Sequence, residues 1–214
     1  MASVTHAALK SRVWAQLDDN TAFYPAAEVT RAINDCLQQV NLFTGIIQGP
    51  VSLTTDANRY FYSVPGSVII PLAVDLDGRQ LQRSSLHNVA SRRGRWLREN
   101  STNSGPTSVW IPIGTRKIAI HPADSKGGRT LRIVGILEPA LLVNDSDVID
   151  IPDDIVDAVE HLAVLTLVFK EGGAVFYQST TKFVEFQKKI AEWSRWRDVE
   201  WPRWKIERQA VKTG

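Results

Sequence analysis

The chain has 214 residues, of which 43% are apolar, so it can bury a core in one elaborated domain or in two small ones. Its net charge of +2 is too small to indicate a protein that coats nucleic acid, and its single cysteine, Cys36, excludes an internal disulfide and a cysteine-built zinc site. No apolar run follows Met1, so we expect no signal peptide, synthesis in the cytoplasm and no contact with a membrane.

Two helices are predicted at the start of the chain. Residues 3–17 carry apolar side chains at helical spacing behind a cap at Ser3. A second helix begins at Pro25 and ends before Gly45, and the short connection between the two predicts a helical hairpin. The apolar stripe of the second helix consists of Val29, Ile33, Cys36, Leu37, Val40 and Phe43.

Residues 46–151 change to a strand-like pattern. Runs rich in β-branched and aromatic residues alternate with Gly, Pro, Asn and Asp, which predicts short antiparallel strands joined by tight turns. One short helix is expected inside this region, capped by Ser84 or Ser85. Its inward-facing residues are predicted to be Leu86, Val89 and Ala90.

Helical pattern returns after the strand region. Pro152 suits a first helical turn, Asp153 and Asp154 lie where the helix dipole favours carboxylates, and Gly172-Gly173 ends this helix. A last helix is predicted from about residue 174 to residue 196. Its apolar positions are Phe176, Phe183, Phe186, Ile190 and Trp193.

The order of these elements predicts an α+β fold. Two helices alone cannot bury their apolar faces, so we expect the first pair to pack against the last pair as an antiparallel bundle of residues 1–45 and 152–196. Residues 46–151 would form an inserted, mostly antiparallel β domain, and residues 197–214 an extended C-terminal arm.

Motifs for catalysis are missing from the sequence. It contains no nucleotide-binding loop, no zinc-protease motif and no nucleophile elbow, so we expect no catalytic residue, no metal and no cofactor. His161 beside Glu160 has two interpretations, a general base or a histidine within the bundle, and we prefer the second. His121 with Asp124 and Ser125 could be a triad, but turn residues explain it better. Two carboxylate pairs could bind metal or cap helices, and we prefer capping: Asp18 with Asp19, and Asp153 with Asp154.

Arginines concentrate around one tryptophan of the β region, in the stretch SRRGRWLREN. Arginine and a stacking aromatic ring can hold a nucleic-acid backbone. The same residues could contact the acidic edge of a neighbouring subunit, or form a solvated loop, and the sequence leaves the three alternatives open. The candidate contacts with a subunit or with DNA are Arg92, Arg93, Arg95 and Trp96, with Arg98 in the same cluster.

The C-terminal stretch combines tryptophan with basic residues. From Phe186 onward there are eight Lys/Arg and four Asp/Glu, a net charge of +4, which leaves the rest of the chain at −2. Trp193 continues the helical stripe and is expected in the core, whereas Pro202 breaks the helix. Each tryptophan side chain can bury roughly 150–250 Å², at about 25 cal/mol per Å², so leaving it exposed to water costs free energy. The arm should therefore fold back on its own bundle or, as we prefer, dock on another chain. The candidate partner-binding residues are Trp196, Arg197, Trp201, Arg203, Trp204, Lys205 and Arg208.

Several stretches in a fixed order resemble one known family. They are YPAAEVTRAINDCLQQVNLFTG, then LTTDANRYFYSVP, then WIPIG and KIAIHPAD, and finally DVIDIPDDIVDAVEHLAVLTLVFKEGG before an aromatic helix. In this order the chain resembles the head-to-tail adaptor, or connector, proteins of tailed bacteriophages, including the tail tubular protein A type. The likeness covers about residues 8–195.

The resemblance implies a structural virion protein in the neck between head and tail. It implies a ring, usually dodecameric, under the portal, whose lumen passes double-stranded DNA without reading its sequence. Expected partners are the portal protein, reached by the C-terminal arm, neighbouring copies, and a downstream tail or nozzle protein. Two alternatives remain: a nucleic-acid-binding module that uses Arg92–Arg98, and a wall-degrading hydrolase that uses Glu160 or His161.

Overall fold

The computed structural model describes residues 4–18, 21–114, 116–149, 151–170, 181 and 183–195. The chain divides into two compact units. One unit, called here the helical unit, is made of the described parts of Met1–Ile46 and Pro139–Gly214, and the other, the β unit, is Ile47–Glu138. The described residues form five α-helices and mainly antiparallel sheets, so the predicted α+β class is confirmed.

The helical unit contains four helices and one small sheet. Its helices are α1 (His6–Gln16), α2 (Ala26–Thr44), α4 (Asp153–Val168) and α5 (residues 183–195). The strands β1 (Val4–Thr5) and β10 (Val148–Ile149) pair antiparallel and form a two-stranded sheet.

The ends of the first two helices follow from local chemistry. The N-cap of α1 is Thr5, whose hydroxyl accepts a hydrogen bond from the backbone N–H of Ala8 at 3.3 Å, so the predicted cap at Ser3 is wrong. Pro25 precedes the first residue of α2 and serves as its N-cap. Gly45 ends α2 in the left-handed conformation, with φ of 62°, and its N–H bonds to the carbonyl of Asn41.

The core of the helical unit is formed mainly by α2 and α4. The predicted stripe of α2 is buried from Val29 to Val40. Phe43, the last member of the predicted stripe, is 55% exposed, because the buried seam continues instead through Asn41 and Thr44. The second half of α4 is buried on most sides, since α1 and α2 both pack against it and Phe186 of α5 joins the same core.

The segment before α4 belongs to the helical unit. Residues 139–151 are predicted to belong to the β-rich domain, whereas in the structure Leu142 and Ile149 lie in the core of the helices. Asn34 of α2 fixes this segment, because its side-chain amide donates to the carbonyl of Leu142 at 3.0 Å and its oxygen accepts from the N–H of Leu142 at 2.9 Å.

The β unit consists of two four-stranded sheets. The strands of the first, in spatial order, are β2 (Gln48–Thr54), β9 (Thr130–Leu137), β4 (Val68–Leu76) and β5 (Arg79–Gln80). Those of the second are β3 (Arg59–Ser63), β8 (Lys117–Asp124), β7 (Val109–Ile113) and β6 (Gln82–Arg83). All pairs are antiparallel except β6 with β7. One apolar core joins side chains of both sheets, among them Val74 and Ile133 of the first and Trp110 and Ile120 of the second.

Strand β8 is buried on both faces. Ile118 and Ile120 point into the core shared by the two sheets, and Ala119 belongs to a second, smaller cluster on the opposite face. That cluster also contains Val89 of the short helix α3 (Leu86–Arg92) and Trp96 of a 3-10 helix (Trp96–Arg98). The short helix and the loop after it therefore cover one face of the second sheet.

The position of α3 was predicted, but not all of its inward face. Ser85 caps the helix, accepting from the N–H of Asn88 at 3.1 Å, and Val89 is buried as expected. Leu86 and Ala90 are exposed, so their prediction as inward-facing residues is wrong. Val89 is the one buried residue of this seven-residue helix. The next buried residue along the chain in the same cluster is Trp96.

Gly135 permits a close approach inside the first sheet. Strand β4 has two register irregularities opposite β9, on either side of Ile70 and Pro71. A Cβ atom at position 135 would lie 2.6 Å from the carbonyl oxygen of Ile70. Since that atom belongs to the backbone, any larger residue here would separate the two strands.

Candidate partner-binding surfaces

The predicted portal-binding residues lie outside the described residues. This applies to all seven: Trp196, Arg197, Trp201, Arg203, Trp204, Lys205 and Arg208. Phe176 and the glycine pair at 172 and 173 also fall outside them. Trp193, which precedes the arm, is partly buried and packs against the core of the helical unit, together with Ile190.

The arginine loop, defined here as residues 91–100, is attached to the β unit by its tryptophan. Trp96 is only 8% exposed, and its ring meets those of Tyr60 and Phe61 edge-on, with centroids 6.0 and 6.1 Å away. The hydroxyl of Tyr60 also donates to the carbonyl of Glu99 at 3.0 Å. Because the ring is covered by its own unit, it is not presented to solvent as a surface on which a base could stack.

The arginines of the loop differ in their surroundings. Arg93 donates to the carboxylate of Glu99 at 2.7 Å, which offsets its charge. Arg92, Arg95 and Arg98 are exposed and form no ion pair with any described residue. The loop thus presents positive charge outward from an apolar attachment, which agrees equally with a solvated loop and with an anionic partner.

His121 lies beside this loop on β8. Its ring is 6.1 Å from that of Trp96, and its Nε2 is 3.3 Å from Oε2 of Glu99, although neither ring nitrogen has a hydrogen-bond partner among the described residues. Burial lowers the pKa of His121; the Glu99 carboxylate acts in the opposite direction, and the Arg93 guanidinium adds to the lowering. We therefore expect a neutral imidazole at neutral pH.

The residues considered for a catalytic triad are not brought together. The buried carboxylate of Asp124 accepts from the Thr55 hydroxyl at 2.9 Å and from the N–H groups of two loop residues, so it closes a turn. The hydroxyl of Ser125 forms a hydrogen bond with that of Ser101, with 2.6 Å between the two oxygens. No hydrogen bond among the described residues joins either of them to His121.

Glu160 and His161 of α4 contact different helices. Glu160 accepts a hydrogen bond from Gln16 of α1 and has Arg12 at 3.9 Å. His161 is partly buried and has Nε2 3.8 Å from the carboxylate of Glu185 on α5. These contacts connect helices, in line with the interpretation of His161 as a histidine within the helical unit.

The two carboxylate pairs do not form a described metal cluster. Within the part of the chain that the structure describes, no group of three or more His, Cys, Asp or Glu side chains could hold a metal ion. Asp19 and the side chain of Asp154 lie outside that part. Asp153 is the first residue of α4, where the helix dipole favours a carboxylate, but the N-cap is Pro152 and no described side chain caps the helix by a hydrogen bond.

An apolar surface on the helical unit was missed by the sequence analysis. In the segment after Pro139, Leu141 is 75% exposed and Val143 is 73% exposed, while Leu142 between them is buried. The carboxylate of Asp147 accepts from the N–H groups of Val143 at 2.7 Å and Asn144 at 2.8 Å, which lowers its pKa. The run ALLV between a proline and NDSD is a sequence signal for this surface, although it falls within residues 46–151, the predicted β-rich domain.

The longest described helices are too short or too polar to cross a bilayer. The model of a protein family described as SU10 adaptor protein matches residues 4–202. No curated protein matches the chain.

Proposed function

The chain belongs to the SU10 adaptor protein family and is thus a bacteriophage structural adaptor; from this we propose that it joins the portal to the tail as a head-to-tail adaptor. The observation that carries the proposal is the extent of the match, residues 4–202 of 214, which includes both compact units. The family is a structural family and not an enzyme family. The same match supports a location in the virion.

We further propose that copies assemble as a dodecameric ring with double-stranded DNA passing through its lumen. A ring requires a heterologous contact, in which two different faces of each copy meet. The exposed side chains of Leu141, Val143 and Val148 support this proposal. The first two flank Leu142, whose backbone is hydrogen-bonded to Asn34, and Val148 lies in β10, which pairs with β1. Apolar side chains on a fixed backbone lose little conformational entropy when they are covered by a neighbour.

The helices are proposed to form the antiparallel bundle expected from the sequence. Lys170, after the end of α4, contacts Glu28 near the start of α2 at 2.8 Å, and Lys189 of α5 contacts Asp157 of α4 at 3.0 Å. These pairs support antiparallel neighbours. The C-terminal arm, residues 197–214, would extend from this bundle to the portal, and a further tail or nozzle protein would bind elsewhere on the ring.

The first test is the mass of the purified protein in solution, alone and mixed with the portal protein of the same genome. The adaptor proposal expects a complex of ring size in the presence of the portal, from monomers or from preformed rings. A protein that stays monomeric and does not bind the portal would contradict the proposal. Light scattering coupled to size-exclusion chromatography gives the mass directly.

The second test concerns the arm. Removal of residues 200–214 should leave a folded protein that no longer binds the portal, because the arm would supply the anchoring tryptophans. Trp201→Ser with Trp204→Ser keeps the chain length and should have the same effect, whereas Lys212→Ser is a matched control that should bind. If the shortened protein unfolds or aggregates, the arm is part of the internal structure and the docking proposal is wrong.

A further inference from the structure

A polar cleft lies between α3 and strands β6, β7 and β8 of the β unit. Its volume is about 300 Å³, near the lower limit of the roughly 300–1,000 Å³ typical of small-molecule sites. No acidic residue is among the described residues that line it. Its lining includes three arginines and three serines: Arg83, Arg92, Arg93, Ser84, Ser104 and Ser108.

A buried histidine without a hydrogen bond also lines the cleft. His121 is 4% exposed, and neither of its ring nitrogens forms a hydrogen bond with a described residue. A buried polar group without a partner costs free energy, about 1–3 kcal/mol in mutational data, and in native proteins it is explained by strain, by a functional role or by a bound water or ion. The neutral imidazole can offer one N–H to a group that enters the cleft.

The positive charge of the cleft is compensated only in part. Glu99 offsets Arg93, but Arg83 and Arg92 form no ion pair with a described residue. The guanidinium of Arg83 lies over the ring of the buried Trp110, 5.6 Å from its centroid, which fixes the arginine at the cleft. Two exposed arginines without a described ion pair therefore line the same cleft as the serine hydroxyls.

We propose that this cleft binds a phosphate group, either inorganic phosphate or the phosphate of a small molecule. The two uncompensated guanidinium charges match the charge of about −1.5 to −2 that a phosphate monoester carries at neutral pH, whereas a single carboxylate carries −1. Arginines also bind phosphate through two parallel hydrogen bonds, and the serine hydroxyls can donate to its remaining oxygens. The inference stands independently of the adaptor function, since it rests only on residues of the β unit.

Only some arginines of the arginine loop line the cleft, so an arginine outside the cleft can serve as a matched control. Arg92 lines the cleft, whereas Arg95, three residues later on the same loop and also exposed, does not. In the full-length protein, isothermal titration with inorganic phosphate should show saturable binding. Arg92→Gln should weaken this binding about tenfold, as expected for the loss of a hydrogen bond between charged groups, and Arg95→Gln should leave it unchanged within about twofold.

His121 supplies an independent readout. An anion next to the imidazole favours its charged form, so bound phosphate should raise the pKa of His121, measured from the chemical shift of its ring protons during a pH titration. The resonance is assigned by its absence in His121→Gln. The other charged groups that face this ring are Glu99 and Arg93, whose own contact should persist in both states.

Three results would overturn the proposal. The first is the absence of saturable phosphate binding. The second is an equal loss of phosphate binding in Arg92→Gln and Arg95→Gln. If both variants also lose binding of duplex DNA to the same extent, the loop surface rather than the cleft binds the anion. The third is displacement of phosphate by a short poly-glutamate peptide at lower concentration than phosphate itself, which would assign the cleft to a protein carboxylate.

Discussion

The arginine loop of the β unit and the segment 139–149 of the helical unit are both surface connections, yet they orient their apolar residues in opposite ways. In the arginine loop the largest apolar side chain, Trp96, is buried and the charges point outward. In the segment 139–149, Leu141 and Val143 point outward while polar groups hold the backbone. The first connection is thus stabilised by its aromatic residue, and the second is stabilised by hydrogen bonds.

This difference distinguishes a buried aromatic residue from an exposed apolar surface. A tryptophan among arginines looks like a binding site by composition, but its burial shows that it stabilises the β unit. Two aliphatic residues in a short apolar run look ordinary, but their exposure on a fixed segment is typical of a contact surface. Four substitutions test the comparison, beginning with the one expected to have the largest effect.

Trp96→Ala should destabilise the β unit by about 3–5 kcal/mol, because it leaves a cavity between Tyr60, Phe61 and His121. The measurement is the free energy of unfolding in urea. Leu97→Ala, at the half-exposed neighbouring residue, is the matched control and should cost less than about 1 kcal/mol. Equal costs for the two substitutions would show that Trp96 does not attach the loop.

Asn34→Ala should destabilise the helical unit by about 1–3 kcal/mol. The substitution removes both hydrogen bonds to the buried backbone of Leu142 and leaves its N–H and carbonyl without these partners. Gln38→Ala, at an exposed position one turn later on α2, is the control and should be close to neutral. Hydrogen exchange at the N–H of Leu142 should accelerate in the first variant only; an unchanged rate would contradict the role given to Asn34.

Acidification should lower the stability of the β unit through protonation of His121. The effect should be smaller than those of the two substitutions above, because only one proton is involved. The folded state has the lower pKa, so below the ordinary value of about 6.5 the unfolded chain takes up the proton first. The stability is therefore present above that pH and is lost as the pH falls through the pKa of the folded state. His121→Gln should reduce the difference between urea midpoints at about pH 7.5 and about pH 5.5, whereas His87→Gln, at an exposed residue of α3, should not.

Leu141→Ser with Val143→Ser should have the smallest effect on stability, within about 0.5 kcal/mol per site, since both side chains are exposed. Self-association or binding to the portal should nevertheless weaken. Leu142→Ala, at the buried residue between them, should show the reverse, a loss of stability of about 2–5 kcal/mol. If the double substitution unfolds the protein, the two residues belong to its core rather than to a contact surface.

Much of the fold could be predicted from local patterns. The start of α2 at Pro25, its end at Gly45 and the cap of α3 at Ser85 all follow from backbone chemistry within a few residues. The candidate cleft could not be predicted, because Arg83, Arg92 and His121 come from three elements that only the second sheet brings together. The burial of His121 beside Glu99, without a hydrogen bond among the described residues, is a tertiary arrangement that no sequence pattern encodes.

The sequence by itself determined the α+β class, the apolar stripe of α2 and the order of residues by which the family is recognised, since spacing and capping act over short distances along the chain. Only the tertiary structure decided which side of each connection is covered. Phe43 and Leu141 are exposed and Trp96 is buried because burial depends on what packs against a residue. That neighbour is supplied by distant parts of the chain, such as β8 for Trp96 and Asn34 for the segment around Leu142.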